Sequence, residues 1–294
     1  MSERPLVDKK SLAALSLEWI VIALVTIFAV TTATWWAYGM AFVVIATRQH
    51  GLLMLYHDAV HGLLARSPGL NDFLINLFVG VPHVLPVEFY RPLHLTHHRK
   101  LGTDEDPERA LLFAGQFWHY RPLPTKKLIG QLLGDLFVVN GIRTIRAWGR
   151  KSGGIVLHPL TFVPVVLWVT AVVAAASHAP LVAGSVLLLW FGPLLTLTNL
   201  LQKLRGFAEH SGGPGVTPGW DDWTYTWRIG WPGRLTIWPY NINRHLEHHA
   251  RPGVPWHRLP QLSAGTERAR DGRTLWQLLH LRTEPTIGTV ENRQ

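Results

Sequence analysis

Three short histidine clusters constrain this chain more than anything else in it. They read His57-Asp-Ala-Val-His61, His94-Leu-Thr-His97-His98 and His245-Leu-Glu-His248-His249. His57 and His61 stand four apart, so both imidazoles leave one face of a helix. The other two clusters share the i, i+3, i+4 spacing, which also falls on one face. Neutral imidazole is the commonest metal ligand near neutral pH. The eight imidazoles exceed what one tetrahedral zinc site needs. They fit two metal ions sharing a site, with positions left open for a small co-substrate such as oxygen. In a chain with 16 histidines one HxxHH could be accidental. Two copies plus HDxxH, all beside hydrophobic spans, point to a metal site.

The setting is apolar. Hydrophobic residues make up 48% of the 294 residues and gather in a few runs. Four runs approach the length needed to cross a hydrocarbon core of about 30 Å. They cover residues 12–35, 38–56, 155–176 and 180–201. Glu18 interrupts the start of the first, long run, which is expected to be a span and not a cleaved leader. Arg48 and His50 fall inside the second run, which is costly in lipid, so that end should meet water or a protein-lined cavity. Cysteine is absent, so redox metals must be held by nitrogen and oxygen ligands. The net charge of +9 comes from residues flanking the apolar runs. That is the pattern of juxtamembrane Arg and Lys and not of a nucleic-acid binder.

Between the spans, the stretch 70–90 carries Pro82, His83, Pro86 and Glu88 and reads as re-entrant or interfacial. Arg91-Pro92 is expected to start the helix bearing the second cluster. Residues 126–150 read as one basic amphipathic helix on the membrane surface. Gly192-Pro193 is expected to kink the fourth span. A Gly/Pro-rich loop is expected over 212–219, packing of residues 221–231 on the site or at the interface, and a short helix over 275–281. Tight turns near residues 37 and 178 leave all large loops on one side. Those loops are rich in Lys and Arg, so that side is expected to be cytoplasmic. The expected fold is an all-α integral membrane protein, one domain over residues 1–294. It has four spans and a cytoplasmic helical cap holding the histidine site.

The three clusters together resemble the membrane fatty acid desaturase and hydroxylase superfamily, whose pattern is HxxxH, HxxHH and a late HxxHH. The resemblance extends to Gly102-Thr-Asp104-Glu-Asp106-Pro107, to Arg205-Gly-Phe-Ala-Glu209-His210, similar to an RxxxEH element, and to Asn241-Ile-Asn243-Arg244-His245-Leu-Glu247-His248-His249 followed by Pro252-Gly-Val-Pro255. It covers about residues 40–262. Arg244 departs from it, where relatives often carry an aromatic residue. The resemblance implies two iron ions that use oxygen to take hydrogen from an unactivated C–H bond. Its product is a double bond in a fatty acyl chain, or an alcohol.

His57, His61, His94, His97, His98, His245, His248 and His249 are the expected ligands. His210 is expected as a ninth, because a helix continued from Leu201 to His210 adds about 13 Å, enough to reach a site just outside the membrane. Asp58, Glu209 and Glu247 adjoin ligands in sequence and are expected to accept the far ring N–H of an imidazole. Asn241 and Asn243 are placed in the same outer ring of contacts. His50, His83, His119, His158, His178, His257 and His280 are expected to be dispensable for metal, with His50 a candidate to line the cavity.

The rival readings are a hydroxylase or carotenoid ketolase on the same site, and, from another class, a membrane metal transporter. Transporters place ligands near mid-bilayer, whereas these clusters lie beyond span ends. The lack of HExxH argues against a zinc protease. No GxGxxG and no His-Pro-Gly-Gly haem segment is present, so a separate electron donor is expected, ferredoxin-like or cytochrome b5-like with its reductase. The remaining expected partners are membrane lipids and a lipid or acyl substrate. The expected setting is a bacterial cytoplasmic membrane.

Overall fold

A computed structural model describes residues 5–103, 105–108, 125–151, 158–210, 224–262 and 269–271. Asp104, His119, His280, Asp221, the 212–219 loop and the 275–281 helix lie outside these. Helix α1, Lys9–Thr32, ends where Ala33 takes a left-handed φ of 53°. The chain reverses there, and α2, Trp35–Val60, packs back along α1. The break therefore falls at Ala33-Thr34, a few residues before the turn expected near residue 37. Helix α3, Pro68–Ile75, runs on through a π turn over Asn76–Gly80.

Helix α4, Val87–Lys100, begins four residues before Arg91, with Pro92 inside it. The Asn76 side chain sets this start: its Oδ1 accepts the Val87 N–H at 2.8 Å. The basic stretch forms two helices and not one, α5 over Thr125–Asp135 and α6 over Val138–Lys151. Asp135 is drawn into the interior by Lys203, which fixes the end of α5.

Helix α7 covers Pro159–His178, with Pro159 at its first position. Helix α8, Pro180–Pro193, passes through a π turn, Leu194–Thr198, into α9, Asn199–Glu209. The expected kink at Pro193 is thus a π turn, which absorbs the missing proline donor within a continuous 30-residue helix. Gly141 of α6 makes room for this turn: a Cβ there would lie 2.1 Å from the Leu195 carbonyl oxygen. The rest is short: α10, Trp231–Leu235, α11, His245–Ala250, and a parallel pair of β1, Trp227–Arg228, with β2, Arg270–Asp271.

Among the described residues, three helices are long and apolar enough to cross a membrane: Lys9–Thr32, Pro159–His178 and Pro180–Glu209. Leu24, Val173 and Leu188 on them are each 60–61% exposed. Apolar side chains facing outward in this number mark a lipid-facing surface. The remaining expected span, the second in the chain, is α2, 26 residues long but with Arg48-Gln49-His50 at its middle. Protein groups satisfy that polar step. Arg48 reaches Glu18 of α1 at 3.3 Å and the Leu235 carbonyl at 2.8 Å. Gln49 donates to the Trp190 carbonyl at 2.8 Å, and His50 pairs with the Ile237 carbonyl at 3.0 Å. The inner half of α2, with Tyr56, Ile75, Trp227 and Trp238, forms the buried core beneath the histidines.

Candidate metal centre

Four elements deliver the histidines. The end of α2 carries His57, and His61 caps it. Helix α4 carries His94, His97 and His98, α11 carries His245, His248 and His249, and His210 caps α9. The ligand atoms fall into two groups, each within 4.8 Å of one another: His57, His61, His94, His98 and His248, and then His97, His210, His245 and His249. The groups adjoin, with the rings of His98 and His249 stacked at 4.1 Å.

The nitrogens converge on common points, and a neutral imidazole, with a single N–H, cannot donate to several neighbours at once. His94 Nε2 lies 3.0 Å from both His61 Nε2 and His98 Nε2, and His98 Nε2 lies 3.2 Å from His248 Nε2. In the second group, His245 Nε2 lies 3.1 Å from the Nε2 atoms of His210 and His249. His94 uses Nδ1–H on Glu108, at 2.6 Å, so its Nε2 presents a lone pair. His97 likewise uses Nδ1–H on Asp106, at 3.0 Å, and its buried Nε2 has no partner among the described residues. Converging buried lone pairs repel unless a cation sits among them. The donor set therefore fits two metal ions, one held by each group.

Electrostatics agree. Burial holds His94, His245, His248 and His249 below their ordinary range, and His61 at about 4, so the rings stay neutral. His97 is the exception. Burial pulls it down, but Glu108, Asp106 and Glu209 around it outweigh this and push it up to about 9. Those carboxylates offset the charge of a cation bound there.

The other expected site residues lie further from the imidazoles or brace the chain around them. Glu209 receives Arg205, and its Oε2 lies 3.7 Å from His245 Nε2. Asp58 accepts the Trp256 backbone N–H at 2.7 Å and meets no imidazole among its hydrogen bonds. Glu247 receives the Thr226 hydroxyl, and Arg244 at 2.8 Å. Asn241 and Asn243 donate to the carbonyls of Trp256 and Trp227. Asp58, Glu247 and the two asparagines thus brace the loops around α11. The carboxylates on the imidazoles are instead Asp106 and Glu108. Asp106 stands in the acidic segment after the second cluster, and Glu108 carried no signal beyond lying two residues further on.

The remaining described histidines stand apart from both groups. His50 and His83 are buried, each on a backbone carbonyl. His158 caps α7, His178 ends that helix exposed, and His257 pairs with Asp8 at 3.0 Å. Of the 221–231 stretch, Thr224, Thr226 and Trp227 are buried, whereas Trp231 is 74% exposed.

The chain is similar to known proteins over most of its length. The fatty acid desaturase family profile matches residues 33–278. The chain is 28% identical to the dihydrorhizobitoxine desaturase of Bradyrhizobium elkanii, over 81% of this chain and 70% of that protein. It is 26% identical to a sphingolipid delta(4)-desaturase of Komagataella phaffii, over 76% of this chain and 60% of the yeast protein. It is 28% identical to a human sphingolipid delta(4)-desaturase/C4-monooxygenase, over 83% and 72%. With its apolar helices and paired histidine groups, the chain belongs to the fatty acid desaturase family, as a membrane protein and an oxygen-dependent oxidoreductase.

Proposed function

We propose that the protein is a di-iron lipid desaturase that introduces a double bond into a fatty acyl chain. The observation that carries this is the pairing of two imidazole groups with a mostly apolar cavity of about 120 Å³ that reaches His57. When bound, the two irons would activate oxygen to take hydrogen from an unactivated C–H bond.

The chain's own residues supply the rest. Asp106 and Glu108 fix the tautomers of His97 and His94 and so aim their Nε2 atoms. Leu53, Met54, Leu85, Ile145 and Leu194 line the cavity with hydrocarbon, which favours an alkyl substrate and keeps bulk water from the reacting carbon. The pairing of Arg48, Gln49 and His50 with protein groups supports α2 as a fourth span. The nine histidines of the two groups then stand on one face, read as cytoplasmic from the basic loops. An external donor with an acidic surface suits that face, with docking weakened by salt.

Hydroxylation on the same site is the second reading, because the human relative is named a monooxygenase as well as a desaturase. The test is mass spectrometry of lipids from a bacterial host with and without the chain, and with His97→Ala. A desaturase yields a lipid lacking two hydrogens, a hydroxylase one gaining an oxygen, and both products vanish in His97→Ala. Metal uptake into cells with no oxidised lipid would instead support a transporter.

A further inference from the structure

The cavity beside His57 has a polar end that the metal centre does not use. It lies between α2, the turn over residues 81–86, α6 and the π turn leading into α9. Most of its polar lining is already committed to protein. Tyr56 donates to the Leu85 carbonyl, Tyr90 to Glu108 and Thr198 to Gln49. Lys203 is paired with Asp135, and Arg205 with Glu209. Besides His57, which belongs to the metal centre, two lining side chains stand apart. His83 and Asn199 are 5% and 7% exposed, and His83 Nε2 and Asn199 Nδ2 have no hydrogen-bond partner among the described residues. Buried polar atoms are rarely left so, because an unmade hydrogen bond costs the desolvation of the group.

The chemistry of the pair is specific. His83 uses Nδ1–H on the Val79 carbonyl at 2.8 Å, so Nε2 is an acceptor. Its ring is held against the Trp190 edge at 5.1 Å, and Trp190 in turn donates to the Pro82 carbonyl at 2.8 Å. Asn199 Nδ2 is a donor. Both residues line the one cavity, and a hydroxyl, which gives a proton and takes one at the same oxygen, suits such an acceptor and donor.

Resting on the desaturase reading above, we propose that His83 and Asn199 bind a hydroxyl on the substrate, so that the enzyme acts on a hydroxylated lipid and oxidises a carbon close to that hydroxyl. The closeness follows from the cavity, which His57 lines together with His83 and Asn199 and which has no room for a long spacer. The remainder of the alkyl chain must leave the cavity away from its polar end.

The experiment measures binding of hexadecanol and of its methyl ether to the detergent-solubilised full chain, with and without bound iron. Quenching of tryptophan fluorescence is the readout. The wild type should prefer the alcohol about tenfold, the scale of one hydrogen bond to a buried group. His83→Phe and Asn199→Leu should each abolish the preference, keep the affinity for the ether and keep iron content. His83→Gln, which restores an acceptor, should recover part of the preference. Should His83→Phe lose its iron through misfolding, Asn199→Leu and His83→Gln decide alone. Equal affinity for the two probes in the wild type, or an undiminished preference in Asn199→Leu, overturns the proposal. Because binding needs no turnover, an intact alcohol preference without oxidised product would sink the desaturase reading and leave the hydroxyl site standing.

Discussion

Tyr240 donates its hydroxyl to Glu18, a carboxylate 222 residues earlier in the chain. Glu18 is 1% exposed on α1, beside Arg48 and pressed against Gly51, where a Cβ would lie 2.6 Å from Glu18 Oε1. Tyr240 itself holds a left-handed φ of 53°, five residues before His245. The contact therefore pins the third cluster to the first membrane helix. Tyr240→Phe leaves Glu18 with one donor fewer in a buried place, at a cost of about 1–3 kcal/mol. The expected outcome is a lower thermal midpoint with the metal lost earlier in the melt, tracked by metal release alongside tryptophan fluorescence. An unshifted midpoint would show that the third cluster is held without this contact.

The carboxylates that touch imidazoles should matter more for metal than those that brace loops. Asp106→Ala and Glu108→Ala are expected to weaken metal affinity by about 10–100-fold each. Asp58→Asn keeps an acceptor for the Trp256 N–H and should leave affinity unchanged. Titration with a competing chelator separates the two classes. Equal losses in all three would show a general structural effect.

His210 closes the second group with His97, His245 and His249. His210→Ala should lose iron to the same extent as His97→Ala, while His178→Ala, at the exposed end of α7, keeps it. Iron per folded protein is the measurement. Full iron in His210→Ala would leave an eight-histidine site.

Acid should destabilise the metal-free fold. His61 is held at about 4 and its neighbours His94 and His248 below their ordinary 6.5 by burial. The unfolded chain takes up protons near 6.5 while the folded chain refuses them. Stability from these groups is thus full above 6.5 and lost as the pH falls through it. His97, raised to about 9, works in the other direction: its contribution is present below 6.5 and fades as the pH rises through 9. The depressed rings outnumber it, so the thermal midpoint should fall between about pH 7 and about pH 5. Bound iron should leave over the same interval, because protonated imidazole cannot ligate. A flat profile would contradict the neutral, buried state of the rings.

The four-span arrangement is tested by accessibility tags. Tags after Ala33 and His178 should be reached from outside the cell, and tags after Gly102 and Gly253 only from inside. An outside signal at Gly102 would divide the histidines between two sides of the membrane.

The spacing of histidines within each cluster was legible because a helix turns i, i+3 and i+4 onto one face by geometry alone. His210 was legible because the helix before it could be extended by counting residues. Partners that depend on tertiary packing were not. Asp58 and Glu247 adjoin histidines in sequence, yet their side chains leave on other faces and clamp Trp256 and Thr226. Glu108 lies 14 residues from His94 and reaches it only because the chain folds back after Lys100. The division between α5 and α6 was hidden for the same reason: it rests on the burial of Asp135 against Lys203, a contact 68 residues long.

The π turn over Leu194–Thr198 fixes an angle as well as a length. A π turn is an α-helix carrying one surplus residue, and each residue rotates the remainder of the helix by about 100°. Removing one residue from this turn would restore plain α register and leave the rest of the helix facing nearly as it does now. Winding the same residues as plain α-helix, with none removed, would instead swing Glu209 and His210 about a quarter of the way round the axis. The π turn is therefore the phase setting that lets a membrane-crossing helix end with its last imidazole facing the other eight.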